Sequence, residues 1–206
     1  STEAFGRAFR AVHGIGPIDA RRHGGPLRTQ PTLRFRLSVE GSTPMDVTIT
    51  TTPELVLVGH AVQVPLIHEG VNPHIQQHIA SIPPEEHTRL KRLSDAEPSG
   101  ILAVTGDIEP DAPQGTRLTY LHGVSVRPET VLPGDLDSMR VDAGAWAVFA
   151  ASGPFPETLQ SLWAATATEW FPSNPWRLRP GPSIVRYLEF TGTHASCELW
   201  LAVEPA

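Results

Sequence analysis

Ala4, Phe5, Ala8, Phe9 and Val12 recur at three- and four-residue spacing, which draws one apolar stripe down a helix over residues 1–13 with Ser1 as its N-cap. Glu3, Arg7 and Arg10 fall on its other sides. Gly14 stops this helix, Pro17 suits the first turn of a short second one reaching about Arg22, and Gly24, Gly25 and Pro26 mark a break. Residues 23–43 read as a linker, although Leu33-Arg34-Phe35-Arg36-Leu37 alternates like a short strand.

From Met45 the period shortens to two. Met45–Thr51 and Leu55–Val64 are β-branched runs parted by Pro53 and read as a hairpin. Residues 72–92 are helical in pattern but broken by Pro83-Pro84, which predicts two short helices. Ile101–Ile108 and Arg117–Val126 predict two more strands, joined by a turn-rich Glu109-Pro110-Asp111 segment. The same order then returns. Ser138–Val141 and Ala145–Ala151 read as a second hairpin around Gly144, and Pro156–Trp170 as a helix with Leu159, Leu162, Trp163, Thr166 and Trp170 on one side, ended by Pro172 and Pro175. Ile184–Phe190 and Ala195–Val203 close the chain as a strand pair. Strand pair, helix, strand pair thus occurs twice. The expected fold is α+β: two duplicated βαββ-type halves in one sheet system about a pseudo-twofold axis, with a groove where they meet.

Composition narrows the functional classes. A chain of 206 residues with 40% hydrophobic content can bury a substantial core. A formal net charge of −6 argues against coating nucleic acid or an anionic membrane along the whole length, so any DNA contact is local. Cys197 is the only cysteine, which excludes an internal disulfide. With no signal peptide and no bilayer-length apolar run, a cytoplasmic protein is expected. The sequence opens in helical pattern without an initiator methionine, and a natural product that extends further upstream is expected.

Alternation along the last strand puts Cys197, Leu199, Leu201 and Val203 on a core face and Ser196, Glu198 and Trp200 on the other. A carboxylate beside an indole suits a pocket for cationic, aromatic ligands; the alternative is that Glu198 faces water. Tyr120, Trp146, Phe149 and Trp176 are further aromatics that can line the groove, whereas Trp163 belongs to the helix stripe and is expected to be structural. Among His68, His74, His78 and His87, the second and third can share a helix face, but no HExxH or cysteine pair accompanies them, so solvated or capping roles and no metal are expected. There is no G-x-S-x-G elbow or glycine-rich phosphate loop, and Cys197 lies mid-strand. Neither catalysis nor a cofactor is expected.

Residues 1–10, followed by Val12, Gly14, Pro17 and Arg21-Arg22, resemble the end of the AraC/XylS-type DNA-binding domain. There, the helix carrying the two phenylalanines is the second recognition helix; Gly16 and Ala20 depart from the pattern. Residues 44–205 resemble the GyrI-like (Rob/BmrR-like) effector-binding domain. The marks are the duplicated layout, of SHS2 type, the Trp170-Phe171-Pro172 helix exit and the terminal Cys197–Val203 strand, where Ala202 replaces a frequent proline.

The resemblance implies three regions: 1–22, a remnant of the helix-turn-helix; 23–43, a linker; and 44–206, a small-molecule effector-binding domain. It implies DNA contacts through Ser1, Thr2, Glu3, Arg7 and Arg10, weak or absent in this chain because one helix supplies too few phosphate contacts. It also implies an effector, cationic or aromatic, held by Glu198, Trp200, Tyr120, Trp146, Phe149 and Trp176, and it is compatible with a homodimer. In some relatives the acid sits on the preceding strand, where this sequence has Val185 or Arg186, with Glu189 a few residues on. The function implied is a ligand-responsive transcription regulator. The alternative is a stand-alone GyrI-like binding protein, or a hydrolase of reactive cyclopropane-type natural products in which Glu198 and Tyr120 activate water.

Overall fold

The computed structural model of the protein describes residues 2–24, 45–106 and 112–206. Ser1, the Leu33–Leu37 segment and the turn at Glu109–Asp111 lie outside them. The chain divides into two units, 1–43 and 44–206.

In the first unit, α1 (Thr2–His13) ends where Gly14, at φ 77°, donates its N–H to the Arg10 carbonyl at 2.8 Å. Helix α2 (Pro17–His23) starts on its proline. Phe5, Phe9 and His13 stack in succession along α1, with ring centroids 5.7 and 4.4 Å apart.

The second unit is built on one antiparallel sheet. Its strands are β1 (Asp46–Thr52), β2 (Leu55–Pro65), β3 (Leu102–Thr105), β4 (Arg117–Val126), β5 (Asp137–Val141), β6 (Gly144–Pro154), β7 (Trp176–Leu178), β8 (Ser183–Phe190) and β9 (His194–Pro205). They run in the order β1-β6-β9-β8-β3-β4-β2-β5, with β7 added at the C-terminal end of β9. Read inward from its two ends, the path matches β1 with β5, β6 with β2, β9 with β4 and β8 with β3, so the pseudo-twofold axis passes between β8 and β3. The α+β duplication is therefore present.

Neither of the two expected hairpins forms. β1 pairs with β6, not β2, and β5 pairs with β2, not β6. The links Pro53-Glu54 and Asp142-Ala143 have two residues each, the length of a tight hairpin loop, but such loops need a positive φ. Among the described residues no non-glycine residue has one, and neither does Gly144. Each first strand crosses to the other half instead. In a flat sheet β1 and β2 would lie six strand spacings apart, roughly 29 Å, whereas the three Cα steps from Thr52 to Leu55 span at most about 11 Å. The sheet must therefore curl until its two ends meet, and its inner face becomes concave.

The outer face carries the helices α3 (Pro73–Ser81), α4 (Pro84–Leu93) and α5 (Glu157–Ala165). Helix α5 runs on through a π-helical turn, Thr166–Trp170, into the short α6 (Phe171–Ser173). Beneath α3 and α4 lie Val56, Val58, Val64, Tyr120 and Val124; beneath α5 lie Phe149, Leu199 and Leu201, against Leu162 and Trp170. Leu162, Thr166 and Trp170, four residues apart, carry the buried stripe. Trp163 falls at its margin and is 36% exposed, so the packing role expected of it is not realised. Among the described residues, no helix is long and apolar enough to cross a membrane.

Candidate functional site

The inner face is read off the strand registers. Thr50 and Thr52 on β1, Trp146 and Val148 on β6, Glu198, Trp200 and Ala202 on β9, and Ile184 and Arg186 on β8 share it with Leu102 and Val104 on β3, Leu121 on β4 and Leu55 and Leu57 on β2. Its centre is filled: Leu55, Leu57, Val104, Leu121, Trp146 and Ile184 are each at most 2% exposed. The groove is thus a packed floor rather than an open trough.

At one end this floor opens into a cavity of about 460 Å³, bounded by Thr50–Leu55, by Asp95–Glu97, and by Arg127 and Trp200. Trp200 stands edge-on to Trp146, with centroids 6.2 Å apart. The Trp146 Nε1–H donates to Thr52 Oγ1 at 2.9 Å, and the Trp200 Nε1–H to Glu198 Oε2 at 3.0 Å. The Asp95–Glu97 wall is held by Ser125, which is fully buried: its hydroxyl contacts the carbonyls of Ala96 and Pro98 at 2.8 and 2.6 Å, and its own carbonyl accepts from the N–H groups of Asp95 and Ala96.

The charges are coupled. Arg186 lies 3.5 Å from Glu198 and 3.6 Å from Glu97; Arg127 lies 3.4 Å from Asp95; Arg140 lies 2.6 Å from Glu54. Among the residues that line the cavity itself, three carboxylates, Glu54, Asp95 and Glu97, stand against one guanidinium, Arg127. The N–H of Arg127, with Thr130 and the Arg127 side chain behind it, holds the Asp95 carboxyl below the usual range.

Of the aromatic and acidic residues singled out in the sequence, the structure brings Glu198, Trp200 and Trp146 together on the inner face. Tyr120 and Phe149 do not join them. Both occupy the other strand parity and point under the helices, Tyr120 beside Ile75 and Ile79, Phe149 edge-on to Trp170 at 5.1 Å. Burial pushes the Tyr120 hydroxyl well above its ordinary pKa. Trp176 packs with the same outer-face cluster as Phe149. A water-activating pair of Glu198 and Tyr120 is therefore not made, because the sheet itself lies between them. Arg186, at the alternative acid position, neutralises Glu198 instead of replacing it. Asp95, Glu97, Ser125 and Arg127 were missed: they sit in turns and at a strand end, where no periodicity marks them.

On the outer face, His68 and His74 are exposed, whereas His78 and His87 enter a polar seam. His78 Nε2 lies 3.0 Å from the His60 carbonyl, His60 Nε2 3.2 Å from Glu86, and His87 Nδ1 3.2 Å from His122 Nε2. Among the described residues, no three His, Cys, Asp or Glu side chains converge as metal ligands. In the first unit Thr2, Glu3, Arg7 and Arg10 are exposed on α1.

Two like halves that curl one sheet around a cavity walled by Trp200 and rimmed with carboxylates make a domain of the ligand-binding α+β class. The chain belongs to the GyrI-like family: the GyrI-like small molecule binding domain matches residues 45–204. Several solved structures share the fold. A Staphylococcus aureus MU50 protein described as a bacterial transcription regulation protein is 18% identical, with a TM-score of 0.51 over 78% of this chain and 99% of that one. SAV2435, solved with tetraphenylphosphonium, is 17% identical, with a TM-score of 0.54 over 78% of this chain and 94% of that one. EcmrR, solved in complex with DNA, is 15% identical, with a TM-score of 0.53 over 79% of this chain and 58% of that one. No curated protein matches the chain.

Proposed function

We propose that the protein is the effector-sensing part of a ligand-responsive transcription regulator of the AraC type, and that its effector is an organic cation with aromatic surface. The observation that carries this reading is the cavity, where Trp200 stands beside more carboxylates than guanidinium groups. An indole face attracts a cation through its quadrupole, and the excess negative charge compensates the positive one. The volume, about 460 Å³, falls in the range of small-molecule sites, and the Ser125 hydrogen bonds hold the acidic wall in place before any ligand arrives. The fold-level likeness to SAV2435, solved with tetraphenylphosphonium, and to EcmrR, solved with DNA, supports the same reading. The cavity serves binding and not catalysis.

The effector acts through its differential affinity for two arrangements of the whole regulator. DNA is read by the AraC-type helix-turn-helix of which α1 and α2 form the end, with Thr2, Glu3, Arg7 and Arg10 turned outward. Calorimetric titration with tetraphenylphosphonium tests the sensing: measurable binding is expected, weakened at least tenfold in Trp200→Ala. An unchanged affinity in that variant, or no binding by the wild type, overturns the reading. In a gel-shift assay this chain alone is expected to retain DNA weakly or not at all; nanomolar, sequence-specific retention is the contrary result.

A further inference from the structure

Arg179, in the link between β7 and β8, is the one guanidinium around the aromatic floor with no carboxylate within 4 Å among the described residues; Arg177, two positions earlier, pairs with Glu204 at 2.9 Å. Its guanidinium carbon sits 5.2 Å from the centroid of Trp146. Its Nε and Nη2 are buried and have no hydrogen-bond partner, while Nη1 reaches only the adjacent Pro180 carbonyl at 3.4 Å. A desolvated, unpaired guanidinium is held there weakly.

The seat exists because residue 144 is glycine. Gly144 shares the inner face with Trp146, and a Cβ on it would lie 2.8 Å from Arg179 Nε and 2.9 Å from Cζ and Nη2. The Arg179 side chain thus fills the place of the missing side chain at 144 and covers the indole of Trp146, which is 0% exposed. The backbone of Arg179 is fixed independently, by its N–H to the Ala202 carbonyl at 3.1 Å. The side chain can therefore swing away without the link moving. Trp146 adjoins the cavity on two sides: it is bonded to the cavity-lining Thr52 and stands edge-on to the cavity-lining Trp200.

We propose that Arg179 is a resident cation plugging the aromatic seat on Trp146, and that an organic cation entering the cavity gains full access to the Trp146–Trp200 pair only by displacing it. The proposal rests on the cavity being the ligand site. It makes Arg179 a specificity residue: a ligand lacking positive charge gains nothing by replacing a cation on an aromatic face, whereas an aromatic cation restores the contact and adds area.

Two variants evict the plug by different routes. Arg179→Ala removes the guanidinium and its charge. Gly144→Ala keeps the charge but fills the seat, which a flexible side-chain end can vacate. Titration with tetraphenylphosphonium is expected to show at least tenfold tighter binding in both. Acrylamide quenching of the ligand-free proteins is expected to reveal, in both, an accessible tryptophan component additional to that of the exposed Trp163 in the wild type, and lost when Trp146→Phe is added. Tightening in Arg179→Ala alone reports only the lost charge and overturns the plug, as does unchanged or weaker binding in both variants while the wild type still binds. Binding by neither the wild type nor the variants removes the ligand site and the plug together.

Discussion

Across β2 and β4 of the first half, His60 faces His122; the equivalent pair of the second half, counted five residues back from Pro65 and Pro154, is Phe149 facing Leu199. On the other side of the sheet, Gly59 faces Gly123 in the first half and Val148 faces Trp200 in the second. One duplicated backbone is thus filled in two ways. Under α5 the second half is sealed with aromatic and aliphatic side chains, whereas under α3 and α4 the first half holds a hydrogen-bonded run of histidines with Glu86. Toward the cavity, the second half offers the indole of Trp200 and the first its acidic Asp95–Glu97 wall. The duplication sets where the cavity is; the divergence of the halves makes it one-sided and so able to orient an asymmetric ligand.

The sharpest way to break this comparison is Phe149→Ala, which empties the centre of the apolar half. A stability loss of about 3–5 kcal/mol is expected from urea unfolding, and a loss below about 1 kcal/mol would mean that the half is not held by its aromatic filling. Next comes pH, which should act on the histidine half. The His122 imidazole, 7% exposed, has its pKa lowered from 6.5 to about 4, first by burial and then by charge on His87, His78 and His60. The unfolded chain takes up this proton near 6.5 and the folded one only near 4, so stability falls as pH drops through that window, by up to about 3 kcal/mol. His122→Leu, which copies Leu199, is expected to remove this part of the slope in urea midpoints measured from pH 7 to pH 4; an equal slope in the variant counts against the assignment.

Smaller effects sharpen the picture. A Cβ on Gly59 would run into the backbone of His122 and Gly123, so Gly59→Ala is expected to lose about 1–3 kcal/mol by forcing β2 and β4 apart. Thermal denaturation checks this, and a neutral result would mean that the facing glycines are not enforced by close packing. Least of all, Asn72 caps α3 by accepting from the His74 N–H at 3.1 Å, while α5 has no side-chain cap. Asn72→Ala is expected to lose about 1 kcal/mol, read as a midpoint shift on urea unfolding.

Much of the fold was legible because strands of period two and proline-led helices are local signals. Even the facing of Glu198 and Trp200 followed from alternation along one strand. Partner choice was not legible: whether Leu55–Pro65 pairs with its neighbour in sequence or with a strand from the other half depends on the geometry of a two-residue link. For the same reason Tyr120 and Phe149 were expected in the groove, since alternation gives a strand two faces but not which face the helices cover. Arg186 met Glu198 only through the register of β8 on β9, and Arg179 lies in a Pro/Gly link that has no period at all.

The exchange of first strands between the halves has a further result. Because β1 is bonded to β6 and β5 to β2, each half completes the other, and contacts such as that between Thr52 and Trp146 join positions 94 residues apart. Neither half is a self-sufficient foldon, so both must assemble in one slow, all-or-none step governed by long-range contacts. Fragments cut between β4 and β5 would then regain their structure only as a complementing pair.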